Sequence, residues 1–160
     1  MHTREWKWET LFHGPVSPML LGEYLHTFDD KNRVSLPAKF RSALGKHVVV
    51  TRGLDHCLTV YSKKQWEKEA ERYAAQASGN AASRGLARLF LAGSFEADVD
   101  SAGRILVPEN LKAFAGIKTK AVVAGVAERV EIWDEKAWQQ YTQAIERDAE
   151  QFAEKIGAGA

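Results

Sequence analysis

Asp29-Asp30-Lys31-Asn32-Arg33-Val34-Ser35-Leu36-Pro37-Ala38-Lys39-Phe40-Arg41 returns further along the chain, altered, as Asp100-Ser101-Ala102-Gly103-Arg104-Ile105-Leu106-Val107-Pro108-Glu109-Asn110-Leu111-Lys112. Both copies read Asp, three residues, Arg, three residues, Pro, then a short stretch carrying a basic residue. The two arginines are 71 positions apart, and so are the two prolines. Such a repeat decides the architecture before any local reading, because stacked copies of one unit can share a core that neither buries alone.

Glu23 to Phe28 and Ser94 to Val99 precede the two Asp residues and alternate with period two, the pattern of half-buried strands. Val34-Ser35-Leu36 and Ile105-Leu106-Val107 follow the two Arg residues in the same pattern. Between them Asp29 and Asp100 can nucleate a tight turn by accepting a backbone hydrogen bond two residues on. Asn32 and Gly103, just before each Arg, are the types that best tolerate positive φ. Each copy therefore reads as a β-hairpin with its Arg just past the tip. Pro37 and Pro108 suit the first position of a helix, and Gly45 and Gly116 suit its end. The two short helices should turn Phe40 and Leu44, or Leu111, Phe114 and Ala115, to a core, leaving Lys39 and Arg41, or Lys112, facing outward.

Downstream the copies keep matching with one residue inserted. Leu58-Thr59-Val60-Tyr61 corresponds to Val130-Glu131-Ile132-Trp133 and Trp66 to Trp138, now 72 apart, so the similarity covers roughly 22–77 and 93–149. With Gly22-Glu23-Tyr24, Asp29-x-Lys31-x-Arg33, Leu36-Pro37-x-Lys39-Phe40-Arg41 and Asp100-x-x-Gly103-Arg104, the chain resembles the MraZ family, two-repeat bacterial regulators of the AbrB-like (SpoVT-AbrB) superfamily. The resemblance spans about residues 19–150. One departure is Asn32, where the family pattern has Gly.

The resemblance implies an α+β fold in which two tandem AbrB-like hairpin and short-helix repeats form a pseudo-twofold β-barrel, with longer packing helices. It implies a ring-shaped homo-oligomer. It also implies a regulator that binds double-stranded promoter DNA at repeated boxes, as a repressor of the division and cell-wall gene cluster containing its own gene, in the cytoplasm at the nucleoid. Lys31, Arg33, Lys39, Arg41, Arg104 and Lys112 are the candidate DNA-binding residues. Asp29, Asn32, Pro37, Asp100, Gly103 and Pro108 are the candidate turn-forming ones. The residues leave an alternative open: Asp could cap the turn and Arg pair with it across the hairpin. The bases beside Arg33 favour DNA there. Around Arg104 bases are fewer, with Ala102 and Glu109 nearby, and there the choice is even. Lys39 and Arg41 also admit a plainer reading as solvated charges.

The net charge of +1 is not what a DNA-binding domain usually carries. Its distribution answers this in part. Residues 29–41 hold four bases and two acids, whereas 134–160 hold three bases and six acids. Little points to an enzyme. The five His residues have no metal-ligand spacing to the single Cys57 or to a carboxylate pair, and no phosphate-binding glycine loop occurs. Neither cofactor, metal nor small-molecule substrate is implied. Cys57, in an apparent strand, reads as a buried inert thiol and fits a reducing compartment. No apolar run reaches membrane-spanning length. The rival function is an oligomeric protein-interaction scaffold working through its C-terminal helix.

The remaining organisation follows. Residues 1–18 form an N-terminal extension without a counterpart in the second copy. Met19 stands where chains of the resembled family would start, so 1–18 is either an upstream misreading of the start or a flexible arm; an intact mass separates the two. The first repeat and its helix run over 19–77, with Ser62 and Gln65 as a capping box. A linking helix occupies 78–92, with Leu86, Leu89 and Phe90 inward and Arg84 and Arg88 on a solvated face. The second repeat and a long helix run over 93–156. That helix, capped by Asp134, carries Trp138, Tyr141, Ile145, Ala149, Phe152 and Ile156 on one stripe, long enough to dock on a neighbouring subunit. Residues 157–160 read as a disordered tail.

Overall fold

The computed structural model describes residues 19–158; the N-terminal extension of the sequence reading lies outside the described residues. Two rounds of the same elements follow one another. The first is β1 (Leu20–Thr27), β2 (Arg33–Ser35), α1 (Ala38–Leu44), β3 (His47–Arg52), β4 (Leu58–Ser62) and α2 (Lys63–Gln76). A linker helix α3 (Ala81–Ala87) runs into a π-helical turn at Arg88–Ala92. The second round is β5 (Phe95–Asp98), β6 (Arg104–Leu106), α4 (Glu109–Phe114), β7 (Lys120–Ala127), β8 (Arg129–Asp134) and α5 (Glu135–Ala158).

Six strands form one antiparallel sheet in the order β1-β7-β8-β4-β3-β5. Exchanging the two repeats turns this order into its own reverse, so the sheet is built around a pseudo-twofold axis through the β4–β8 ladder. There Thr59 faces its own counterpart, Glu131. The other two strands pair only with each other: Arg33 opposite Leu106, Val34 opposite Ile105 and Ser35 opposite Arg104. That register is also unchanged by the exchange, with Val34 and its counterpart Ile105 on the axis.

This corrects the expected hairpin within each copy. The turn between β1 and β2 does close, with Asp29 N donating to Arg33 O at 2.9 Å, but neither strand pairs with the other. All eight residues of β1 bond to β7, and β2 crosses to β6. Pairing β2 with β6 seals Val34 and Ile105 against each other, both fully buried. The expected barrel is likewise an open sheet, with β1 and β5 as its edges, and a separate two-stranded ribbon.

Period-two alternation explains the layering. Val48 and Val50, Leu58 and Val60, Ala121 and Val123, and Val130 and Ile132 share one cluster with Val34, Ile105, Phe40, Leu44, Leu111 and Ala115. One face of the sheet is therefore covered by the ribbon and the two short helices. Val49, Thr59, Tyr61, Val122, Ala124 and Trp133 are buried on the opposite face. There Tyr61 meets Trp66 of α2, and Trp133 meets Trp138 and Tyr141 of α5. Strands buried on both faces lose the polar alternation of a surface sheet, which is why β3 reads as an unbroken apolar run.

Helix ends follow their local chemistry with small shifts. Pro37 and Pro108 sit one position before their helices, with ψ of 139° and 147°. Gly45 and Gly116 have φ of +81° and +66°, where an L side chain would be strained. Ser62 Oγ accepts from Gln65 N at 3.1 Å, but the reciprocal half of the box is not made, because Gln65 Nε2 donates to Glu128 instead. Asp134 Oδ2 caps α5 through Ala137 N at 3.1 Å. Leu86 and Leu89 are exposed rather than inward; Ala87 and Phe90 are the buried pair. The π-helical turn widens the helix there and shifts the phase of its inward face. Along α5, Trp138 is half-buried against the sheet, while Tyr141, Ile145, Phe152 and Ile156 are exposed. This helix takes in Gly157 and Ala158, residues that the sequence reading placed in the tail.

Candidate nucleic-acid interface

The two Asp-x-x-x-Arg turns are built identically. Asp29 Oδ1 accepts from Lys31 N at 3.0 Å and from Arg33 N at 2.8 Å, while Oδ2 accepts from Arg33 Nε at 2.8 Å. Asp100 Oδ1 accepts from Ala102 N at 3.0 Å and Arg104 N at 2.9 Å, and Oδ2 from Arg104 Nε at 2.9 Å. One carboxylate thus closes the turn and orients the guanidinium that follows it. Backbone donors are the leading cause of the low carboxyl pKa of both Asp29 and Asp100, with the facing arginine adding to it. The capping and pairing alternative is what the geometry shows: the Asp caps the turn and the Arg is tethered through Nε, while roughly a third of each arginine side chain is exposed.

The β2–β6 ribbon brings the two turns together. Arg104 Nη1 comes within 3.9 Å of Asp29 Oδ2. Lys31 and Lys39 are exposed nearby in sequence, on the first turn and on α1.

The other two candidate bases are placed differently from expectation. Lys112 does not face outward: it is 6% exposed. Its Nζ donates to Asn32 Oδ1 at 2.9 Å and lies 4.9 Å from the centre of the Phe28 ring. Asn32 Nδ2 in turn donates to Glu109 Oε2 at 2.9 Å. A buried ammonium is tolerable only with such partners. Arg41 is half-buried, with Nε enclosed and unpartnered among the described residues. Its guanidinium lies on Gly103, where a Cβ would fall 2.2 Å from Nη1 and 2.6 Å from Cζ. Phe28 and Glu109 were not singled out by sequence. The signal that could have found this arrangement was the repeat itself, which aligns Arg41 with Lys112 and Gly103 with Asn32.

No competing chemistry is assembled among the described residues. Burial pushes the Cys57 thiol up to about 12, which leaves it protonated and unreactive. A cleft of about 360 Å³ beside β4 and α2 carries three arginines, but Glu69 holds Arg72 and Glu131 holds Arg129. Among the described residues no group of three His, Cys, Asp or Glu could hold a metal ion, and no helix is long and apolar enough to cross a membrane.

The doubled turn and its two-repeat frame match one family model, described as "MraZ protein, putative antitoxin-like", first over residues 19–89 and again over 90–157. The chain belongs to the MraZ family. Among its relatives is the transcriptional regulator MraZ of Carboxydothermus hydrogenoformans, 42% identical over 138 residues, which are 86% of this chain and 96% of that protein. The transcriptional regulator MraZ of Caldanaerobacter subterraneus subsp. tengcongensis is also 42% identical over the same shares. That of Roseiflexus castenholzii is 41% identical over 138 residues. Both MraZ repeats of the sequence reading are thus covered, and the break between the matched segments falls in the π-helical turn at Arg88–Ala92.

Proposed function

We propose that the protein is a sequence-specific DNA-binding transcriptional regulator, a repressor of the division and cell-wall gene cluster that includes its own gene. It acts in the cytoplasm at the nucleoid, as a ring-shaped homo-oligomer on repeated promoter boxes. The observation that supports this reading is that two tethered, partly exposed arginines, Arg33 and Arg104, are brought into one cluster by the β2–β6 ribbon. In this role Arg33 reads guanine in the major groove, a bidentate contact worth about 1–3 kcal/mol. Lys31 and Lys39 contact phosphate and set register. The first repeat is the stronger reading head, since Ala102 and Asn110 stand where Lys31 and Lys39 do.

A few bases per protomer displace few counterions, so a single protomer binds weakly. Several heads at fixed spacing gain avidity of roughly 10²–10⁴ without new contacts. The exposed apolar residues of α5 favour assembly, and they are also what the scaffold reading would rest on. Titrating the protein and Arg33→Ala against its own upstream promoter DNA and against scrambled DNA, across a salt series, separates the two. Specific, steeply salt-dependent binding lost in the variant is the expected result. Equal weak binding to both DNAs overturns the DNA reading in favour of the scaffold.

A further inference from the structure

We propose that Arg41 and Lys112 are positioning residues rather than phosphate contacts: each reaches from the short helix of its own repeat to the tip of the other repeat's turn and holds the arginine there at a fixed pitch. The inference rests on the DNA-reading role of those turns.

The argument begins with the geometry of the tips. Asn32 and Gly103 immediately precede Arg33 and Arg104, both at positive φ. Each is gripped from the opposite repeat. Asn32 O accepts from Val107 N at 2.8 Å, and Gly103 O accepts from Leu36 N at 2.9 Å. Over each tip lies the corresponding base, Lys112 on Asn32 and Arg41 on Gly103. The carboxylates of Asp29 and Asp100 hold the backbone amides on either side of each tip residue and the Nε of its arginine. The carbonyl of each tip residue, and the side chain of Asn32, are held from the other half of the molecule, so neither turn can tilt alone.

The two clamps solve one problem with different pairs. A lysine is short and ends in a point charge, and it needs an acceptor on the tip; the amide of Asn32 supplies one. An arginine is longer and planar, and the guanidinium of Arg41 occupies the space where a side chain on the tip would start; Gly103, which also has positive φ, leaves that space to it. Each tip residue is therefore paired with one base.

The Lys112 ammonium is enclosed by Asn32 and Phe28 and does not face phosphate, while Arg41 is half-buried over Gly103 with its Nε sealed from solvent.

The test uses the full chain and its own upstream promoter DNA. Lys112→Met keeps the apolar stem and removes the grip. Affinity should fall roughly tenfold, the equivalent of one charged hydrogen bond, with the slope of log affinity against log salt unchanged. A slope lower by about 0.9, the signature of one lost phosphate contact, would overturn the proposal. Gly103→Asn alone should also weaken binding, because its Cβ meets the Arg41 guanidinium. Adding Arg41→Lys should then restore binding by rebuilding the Lys–Asn clamp; a double variant no better than Gly103→Asn overturns it. Should the wild type fail to prefer its promoter, the function reading fails and the clamp is judged without DNA. A urea double-mutant cycle of Lys112→Met and Asn32→Gly must then show coupling between the two positions, and additivity sinks the clamp.

Discussion

Arg104 Nη1 stands 3.9 Å from Oδ2 of Asp29, a carboxylate of the other repeat that already accepts from Arg33 Nε at 2.8 Å. The two signature motifs are thus one cluster of two acids and two bases rather than two independent turns. Asp29→Asn should therefore disturb both arginines. Binding should fall by more than in Asp100→Asn, because Asp29 has both guanidiniums within 4 Å, Arg33 in its own turn and Arg104 across the ribbon, whereas Asp100 pairs with Arg104. Parallel titrations of the two variants against promoter DNA check the order.

The same carboxylates set a pH dependence. Both Asp29 and Asp100 titrate below their ordinary value of 3.8 in the folded protein, chiefly through bonds from backbone donors. A lowered folded pKa means that the unfolded chain binds more protons in the interval between the two values, so stability rises with pH there. The contribution is complete above the ordinary carboxylate range and is lost as pH falls through the lower, folded pKa. Thermal melts of Asp29→Asn/Asp100→Asn against wild type should differ at neutral pH and converge well below pH 4. Curves that stay parallel down to strong acid would show that the turns draw nothing from these charges.

Gly125 marks where β1 is fastened. It pairs with Gly22, and a Cβ built on it would fall 2.6 Å from both Leu20 C and Leu21 N. Backbone cannot move aside as a flexible side chain can. Gly125→Ala should cost about 1–3 kcal/mol by urea unfolding, with hydrogen exchange accelerated in β1 and β7 before the rest of the sheet. Uniform protection across the sheet would place the strain elsewhere.

Much of this architecture was legible because the repeat was. The strands, the short helices, the turn residues and the correspondence of Leu58–Tyr61 with Val130–Trp133 all follow from motif and period. What failed was partner choice. Asp29, Asn32 and the strand pattern specify a turn, but they carry no information on whether β2 pairs with β1 or with a strand about 70 residues away. That is decided by burying Val34 on Ile105, a long-range packing effect. Lys112 was misplaced for a related reason. Helical phase puts it outward on α4, and only the neighbouring repeat turns that position into an interior one. Leu86 and Leu89 were misplaced because a π-helical turn leaves no mark in a 3.6-residue pattern.

Ile105 tests the idea that the ribbon holds both turns at once. It is fully buried against Val34 on the pseudo-twofold axis. Ile105→Ala should cost about 2–5 kcal/mol, and binding at temperatures where the variant stays folded should weaken through both turns together. A loss confined to the turn of the second repeat, read from protection of the amides of Arg33 and Arg104, would mean that the turns are independent.

The C-terminal helix bears on assembly. Its stripe leaves the sheet after Tyr141, which still packs on Trp133: Ile145 and Phe152 are each 38% exposed and Ile156 is 76% exposed. A substitution on a surface covered by nothing should leave monomer stability within about 0.5 kcal/mol. The same substitution in an interface between copies should break the oligomer, because a carboxylate is then buried without a partner. Ile145→Asp and Phe152→Glu are therefore expected to lower the mass measured by sedimentation to that of smaller species while the far-UV spectrum stays unchanged. Promoter affinity should drop with the mass, since the proposed assembly would lose its avidity. A mass unchanged in both variants would show that α5 is not an interface; the unpaired outer edge of β1, with Leu21 and Leu25 exposed, is then the next surface to alter.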